Sequence, residues 1–232
     1  MSDEMDVVDD DALVGLPEII ALEADADGGV IYLFEEVSST LLRRIVPTLY
    51  WMASEHERIK IVATSPGGSD ACMFALADVI QSLDVPVDLD AFGHLSSAAT
   101  ILLAVCDVRR VGPLTEVCLH SFRVSGVDDS NSVELVRAVA SVERAAERWA
   151  GLLAVRTEAA YVDLDASRAA LHLIATGASD ERRLIGLDIV EFGLADSLVP
   201  LPLAHQLTGS TPPTSPVALP PSELEPPADV QP

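Results

Sequence analysis

Hydrophobic positions along the chain fall into short runs and spaced stripes, and the two patterns alternate. Residues 30–34 (Val-Ile-Tyr-Leu-Phe) form a compact run rich in β-branched and aromatic side chains, the signature of a buried strand. After Ser38 and Ser39, either of which can cap a helix, Leu41, Leu42, Ile45, Val46 and Leu49 recur at helical spacing, which predicts a helix to about residue 54. Residues 59–63 read as a second strand, 65–69 as a tight turn and 70–83 as a second helix. A third strand is expected at 85–91, ended by Gly93, and a helix of small residues at 96–105. Short strands follow at 109–111 and 116–119, then a long amphipathic helix at 132–156. Further helices are expected at 164–175 and 188–193. Strand and helix in turn predict an α/β fold with a largely parallel sheet.

Composition sets the limits of that body. The 232 residues are 49% hydrophobic, enough for one substantial core, while aromatics at 4% leave Ala, Val, Leu and Ile to fill it. The formal net charge is −23 at pH 7, which disfavours nucleic acid and anionic membranes as partners. Six of the first eleven residues are acidic, so residues 1–28 read as an acidic, unstructured leader. From Pro200 the composition turns proline-rich, and residues 201–232 read as an extended tail after a folded domain at 29–200. Cys72, Cys106 and Cys118 form no CxxC pair and sit among apolar residues, which fits reduced, buried thiols and no metal site. No apolar run has membrane-span length, and the start is acidic where a signal peptide is basic, so a cytoplasmic location is expected.

Three places hold candidate chemistry. The turn Ser65-Pro66-Gly67-Gly68-Ser69 joins a strand to a helix. It is either an ordinary connection or a backbone arranged to present N–H groups to an oxyanion. Ser97 opens a small-residue helix and is either a cap or a nucleophile, with Ser96 beside it. His120 closes an apolar strand and is either a structural histidine or a general base.

In combination these segments resemble the proteolytic subunits of Clp proteases. The turn at 65–69 is similar to their SPGGS segment. Gly93-His94-Leu95-Ser96-Ser97-Ala98-Ala99 is similar to their GxAASMG nucleophile motif. Val117-Cys118-Leu119-His120 resembles their VMIH strand, and residues 190–196 their VEYGLVD ending. The order is the same, and the 29 residues from Gly68 to Ser97 fit without a gap. The resemblance runs from about Ile31 to Val199. It implies a ClpP/crotonase-like fold of repeated β-β-α units with a protruding handle helix, here the one starting at Ser132. It implies Ser97 as nucleophile, His120 as general base, and the backbone N–H groups of Gly68 and Ala98 as the oxyanion hole. The orienting acid falls on Glu181 by a gap-free count, or on Asp180 with a one-residue shift.

The expected activity is therefore ATP-dependent serine endopeptidase chemistry on polypeptide substrates, with no metal or cofactor. The resemblance also implies a homo- or hetero-oligomeric ring and an AAA+ ATPase unfoldase as partner. Departures from the family pattern are Ser121-Phe122 in place of Gln-Pro, a longer stretch between Thr157 and Glu181, and Arg123-Val124-Ser125-Gly126-Val127 in place of a glycine-rich strand. Two other readings are a catalytically weak paralogue that fills ring positions, and a crotonase-type acyl-CoA enzyme on the same general fold.

Overall fold

The computed structural model describes residues 24–123 and 131–200. The expected leader up to residue 23, residues 124–127 of the altered strand and the proline-rich tail lie outside the described residues.

The first β-α-β unit shows why the sequence folds as it does. Strand β2 (Val30–Leu33) and strand β3 (Ile59–Ser65) pair in parallel, with Ile31 and Leu33 opposite Ile61 and Ala63, all buried. Helix α1 (Ser39–Glu55) connects them and turns Leu41, Ile45, Leu49 and Met52 into the core. Its cap is Ser38, whose side chain accepts from the Leu41 N–H. Helix α2 (Asp70–Ser82) then leads to strand β4 (Val87–Ser96), parallel to β3. Upstream, β1 (Ala24–Asp25) pairs antiparallel with β2, so strand pairing begins a few residues before Gly29.

Strand β4 is the longest and the hub of the sheet. Its first half pairs with β5 (Arg109–Val111) and its second half with β6 (Glu116–Leu119), both in parallel. It does not stop at Gly93 as the sequence pattern predicts. Gly93 takes φ 66°, the register with β3 shifts between Ala63 and Ser65, and pairing resumes at Leu95 with Ser65 and from His94 to Ser96 with β6. An irregularity of this kind re-aims a strand without ending it. Strand β5 continues to β8 (Ser197–Leu198), and β6 pairs antiparallel with β7 (Arg182–Ile185). Arg182 and Arg183 thus lie in a strand, while Asp180 and Glu181 just precede it.

The predicted helix at 96–105 is a 3-10 turn over Ser97–Ile101 that runs into α3 (Leu102–Val105). The long helix α4 (Ser132–Thr157) opens with a capping box between Asn131 and Glu134. Its buried residues start only at Ala145, and most of its first two turns are exposed. Helix α5 (Leu164–Thr176) packs beside it, and α6 (Leu187–Glu191) precedes the last strand. Cys106 and Cys118 are buried as expected, and Cys72 is half-buried.

Candidate active site

Strands β4 and β6 run side by side in parallel, with Ser96 opposite Cys118. Ser97 is the first residue past one strand and His120 the first past the other, so both stand at the carboxyl edge of the sheet, where α/β folds place their sites. Ser97 has φ 57°, and no other described residue besides glycine has a positive φ. A β-carbon in that region is strained, and strained backbone persists only where the surroundings enforce it. Here the enforcement is visible. The Thr100 hydroxyl donates to the Ser97 carbonyl at 2.5 Å, and the Trp149 indole of α4 donates to that hydroxyl at 3.0 Å.

The glycine turn lies directly against this residue. A β-carbon on Gly67 would come 2.5 Å from Ser97 Cβ and 2.7 Å from the Ser96 carbonyl oxygen. One on Gly68 would come 2.4 Å from the Val37 carbonyl oxygen. Only glycine fits either position, and both take positive φ. The turn is pinned by a bridge to Val37: Val37 N–H donates to the Gly67 carbonyl, and Ser69 N–H to the Val37 carbonyl. The Gly67 N–H is used by the Ser65 hydroxyl. The Gly68 N–H takes no partner among the described residues. Ala98 is the second residue of a 3-10 turn, where N–H groups have no partner within the turn. Both amides belong to residues that line one cleft with Ser97.

Ser97, His120, Gly68 and Ala98 line one cleft of about 650 Å³. Phe122, Ala138 and Val142 give it an apolar side, and Glu36, Asp70 and Arg123 a charged one. His120 Nδ1 lies 2.8 Å from the Ser121 carbonyl oxygen. A carbonyl only accepts, so Nδ1 carries the hydrogen and Nε2 of the neutral ring keeps its lone pair. That is the tautomer a general base needs. No hydrogen bond joins Ser97 Oγ to His120 in this structure, and catalytic hydrogen bonds are often long before substrate binds.

The acid candidates stand elsewhere. Asp180 and Glu181 line a separate depression with Tyr161, Leu173 and Arg182. Glu181 accepts from Arg183 Nε at 2.8 Å, and Arg183 also reaches Glu116 at 2.5 Å. Among the described residues, no carboxylate is hydrogen-bonded to His120. The antiparallel ladder ends with Leu119 paired to Arg182, so His120 and Glu181 are each the next residue beyond it.

Glu36, Asp70 and the α4 residues of the cleft carry no mark in the sequence. They come from separate elements and meet only through the fold.

A family model described as Clp protease matches residues 23–200. The chain belongs to the Clp protease family. The match begins at the edge strand β1 and ends just past β8, so it spans the described fold. No described helix is long and apolar enough to cross a membrane.

Proposed function

We propose that this chain is a serine endopeptidase. Ser97 Oγ attacks the peptide carbonyl while His120 Nε2 takes its proton and then returns it to the leaving amine. Water, activated by the same imidazole, hydrolyses the acyl-enzyme. The Gly68 and Ala98 N–H groups hold the oxyanion. Glu181 serves as orienting acid by taking the Nδ1–H bond over from the Ser121 carbonyl, and Asp180 is the alternative. The reading rests chiefly on one observation: a strained Ser97 that lines one cleft with His120, Gly68 and Ala98. Substrates are polypeptides, and the working form is a cytoplasmic ring of like subunits fed by an ATP-driven unfoldase, by analogy with the family.

Labelling by a fluorophosphonate probe, with the modified residue mapped by mass spectrometry, tests this. Ser97 is the expected site, with loss of labelling in Ser97→Ala and retention in Ser96→Ala. Labelling that survives Ser97→Ala but not Ser96→Ala overturns the assignment.

A second reading has specific support. The Ser97–His120 bond is unmade and Glu181 is held by Arg183, as befits a subunit that fills ring positions with little activity of its own. Absence of labelling, even with family partner subunits present, favours that reading.

A further inference from the structure

The acid and the base of the proposed triad are each engaged elsewhere, and a single side chain accounts for the acid. Arg183 Nε donates to Glu181 Oε1 at 2.8 Å, and its Nη1 donates to Glu116 Oε1 at 2.5 Å. The strand register gives that bridge a direction. Arg183 pairs with Cys118 across the β6–β7 ladder. Glu116 lies two residues before Cys118, and His120 two residues after it. A guanidinium fixed on Glu116 therefore draws the carboxylate it holds toward the Glu116 side, off the end of the ladder at which His120 stands. Cys118 does not compete for Arg183, because burial pushes its thiol up and keeps it uncharged. The neighbouring Arg182 turns elsewhere, its guanidinium 4.4 Å from the centre of the Phe192 ring.

We infer that Arg183 is a positioning residue that withholds Glu181 from His120, with Glu116 as its anchor. The inference rests on the peptidase reading with Glu181 as the acid. The side chains of Arg183, Glu181 and Glu116 are 55%, 48% and 35% exposed, so the bridge is an ion pair largely in water. Such pairs are weak, and this one yields to a competing hydrogen bond without a change of fold. Arg183 thus sets the share of molecules in which Glu181 is free to orient the imidazole. In the remainder the tautomer rests on the Ser121 carbonyl.

The test uses the full chain and a small fluorophosphonate, with intact mass to follow the rate at which Ser97 is modified. Arg183→Gln is expected to react about two- to fivefold faster than wild type, the range an exposed ion pair allows. Its unfolding midpoint should match wild type, as for most exposed side chains. Glu116→Gln, which removes only the anchor, gives a smaller gain. In the Glu181→Gln background neither substitution gains anything, whereas a merely structural role for Arg183 would act in both backgrounds. A rate for Arg183→Gln at or below that of wild type, with the midpoint unchanged, overturns the inference. Should Arg183→Gln lower the midpoint, Glu116→Gln decides alone, and no gain there overturns it. A gain that persists without Glu181 also overturns it, while labelling of Ser97 keeps the peptidase reading intact. No labelling of Ser97 in the wild type or any variant overturns both.

Discussion

A serine held at φ 57° costs on the order of 1–3 kcal/mol against ordinary backbone. The Thr100 and Trp149 hydrogen bonds and the adjoining glycine turn sustain that cost. Gly67→Ala forces a side chain into the Ser97 Cβ at an unfavourable φ of 96°, so a loss of about 2–4 kcal/mol is expected in urea unfolding, with loss of probe labelling. The acid is tested separately. Glu181 adjoins the end of the β6–β7 ladder, one residue closer to it than Asp180. Glu181→Gln should therefore slow turnover far more than Asp180→Asn, by up to roughly 10⁴ if the carboxylate carries a full orienting role. The reverse ranking moves the role to Asp180. No effect from either leaves the Ser121 carbonyl as the group that fixes the tautomer. The sequence singled out Ser97, His120 and Gly68 but left each with an ordinary alternative, and only the likeness of the four segments to the family, in order and spacing, gave them roles. Glu36 and Asp70 carried no mark of their own, because which side chains line a cleft is a property of the assembled fold.

At the scale of elements, periodicity failed where charge masks a strand. In β7 only Leu184 is buried, and Arg182 and Arg183 stand in solvent, so nothing alternates strongly enough to mark it. Strand β5 hides the opposite feature. Arg109 reads as a polar residue on a short strand, yet it is buried and satisfies the carbonyls of Leu103, Gly193 and Leu194 as well as the Asp196 carboxylate. It ties the end of α3 to the turn before β8. Arg109→Met leaves three carbonyls without their donor, and a loss on the order of 3 kcal/mol is expected in denaturant titration. Burial raises the Asp196 carboxyl, but hydrogen bonds from the Arg109 side chain and backbone, with its charge, outweigh this and hold its pKa below the ordinary value. A lowered pKa means that the pair's contribution is fully present above the unfolded carboxylate range. It is lost as pH falls through the lowered value, below about pH 4. Thermal melts of the wild type and Asp196→Asn should therefore converge toward acid and separate above that range.

At the scale of the whole molecule, charge and apolar exposure are arranged on different surfaces. One face of the sheet carries a ladder across three strands: Arg58 with Asp88, Lys60 with Asp90, and Arg110 with both. Both carboxylates are thus paired, with three cations shared between them. The first half of α4 is different. Val133, Leu135, Val136 and Val139 are exposed there, and Val136 and Val139, three apart, share one side of the helix. Apolar side chains kept in water on a projecting helix are the kind that association removes from it, at about 25 cal/mol per Å² buried. A second copy presenting the same stripe would cover them in a two-fold arrangement. The charge of −23 opposes that contact, because like copies repel until salt screens them. Light scattering of the wild type at micromolar concentration should therefore report a multimer whose stability increases with ionic strength. Val136→Glu/Val139→Glu should shift the protein to smaller species without lowering its unfolding midpoint, since neither residue packs on the core. A wild type that remains monomeric at high salt, or a double variant with an unchanged mass, would place the contact between copies on some other surface.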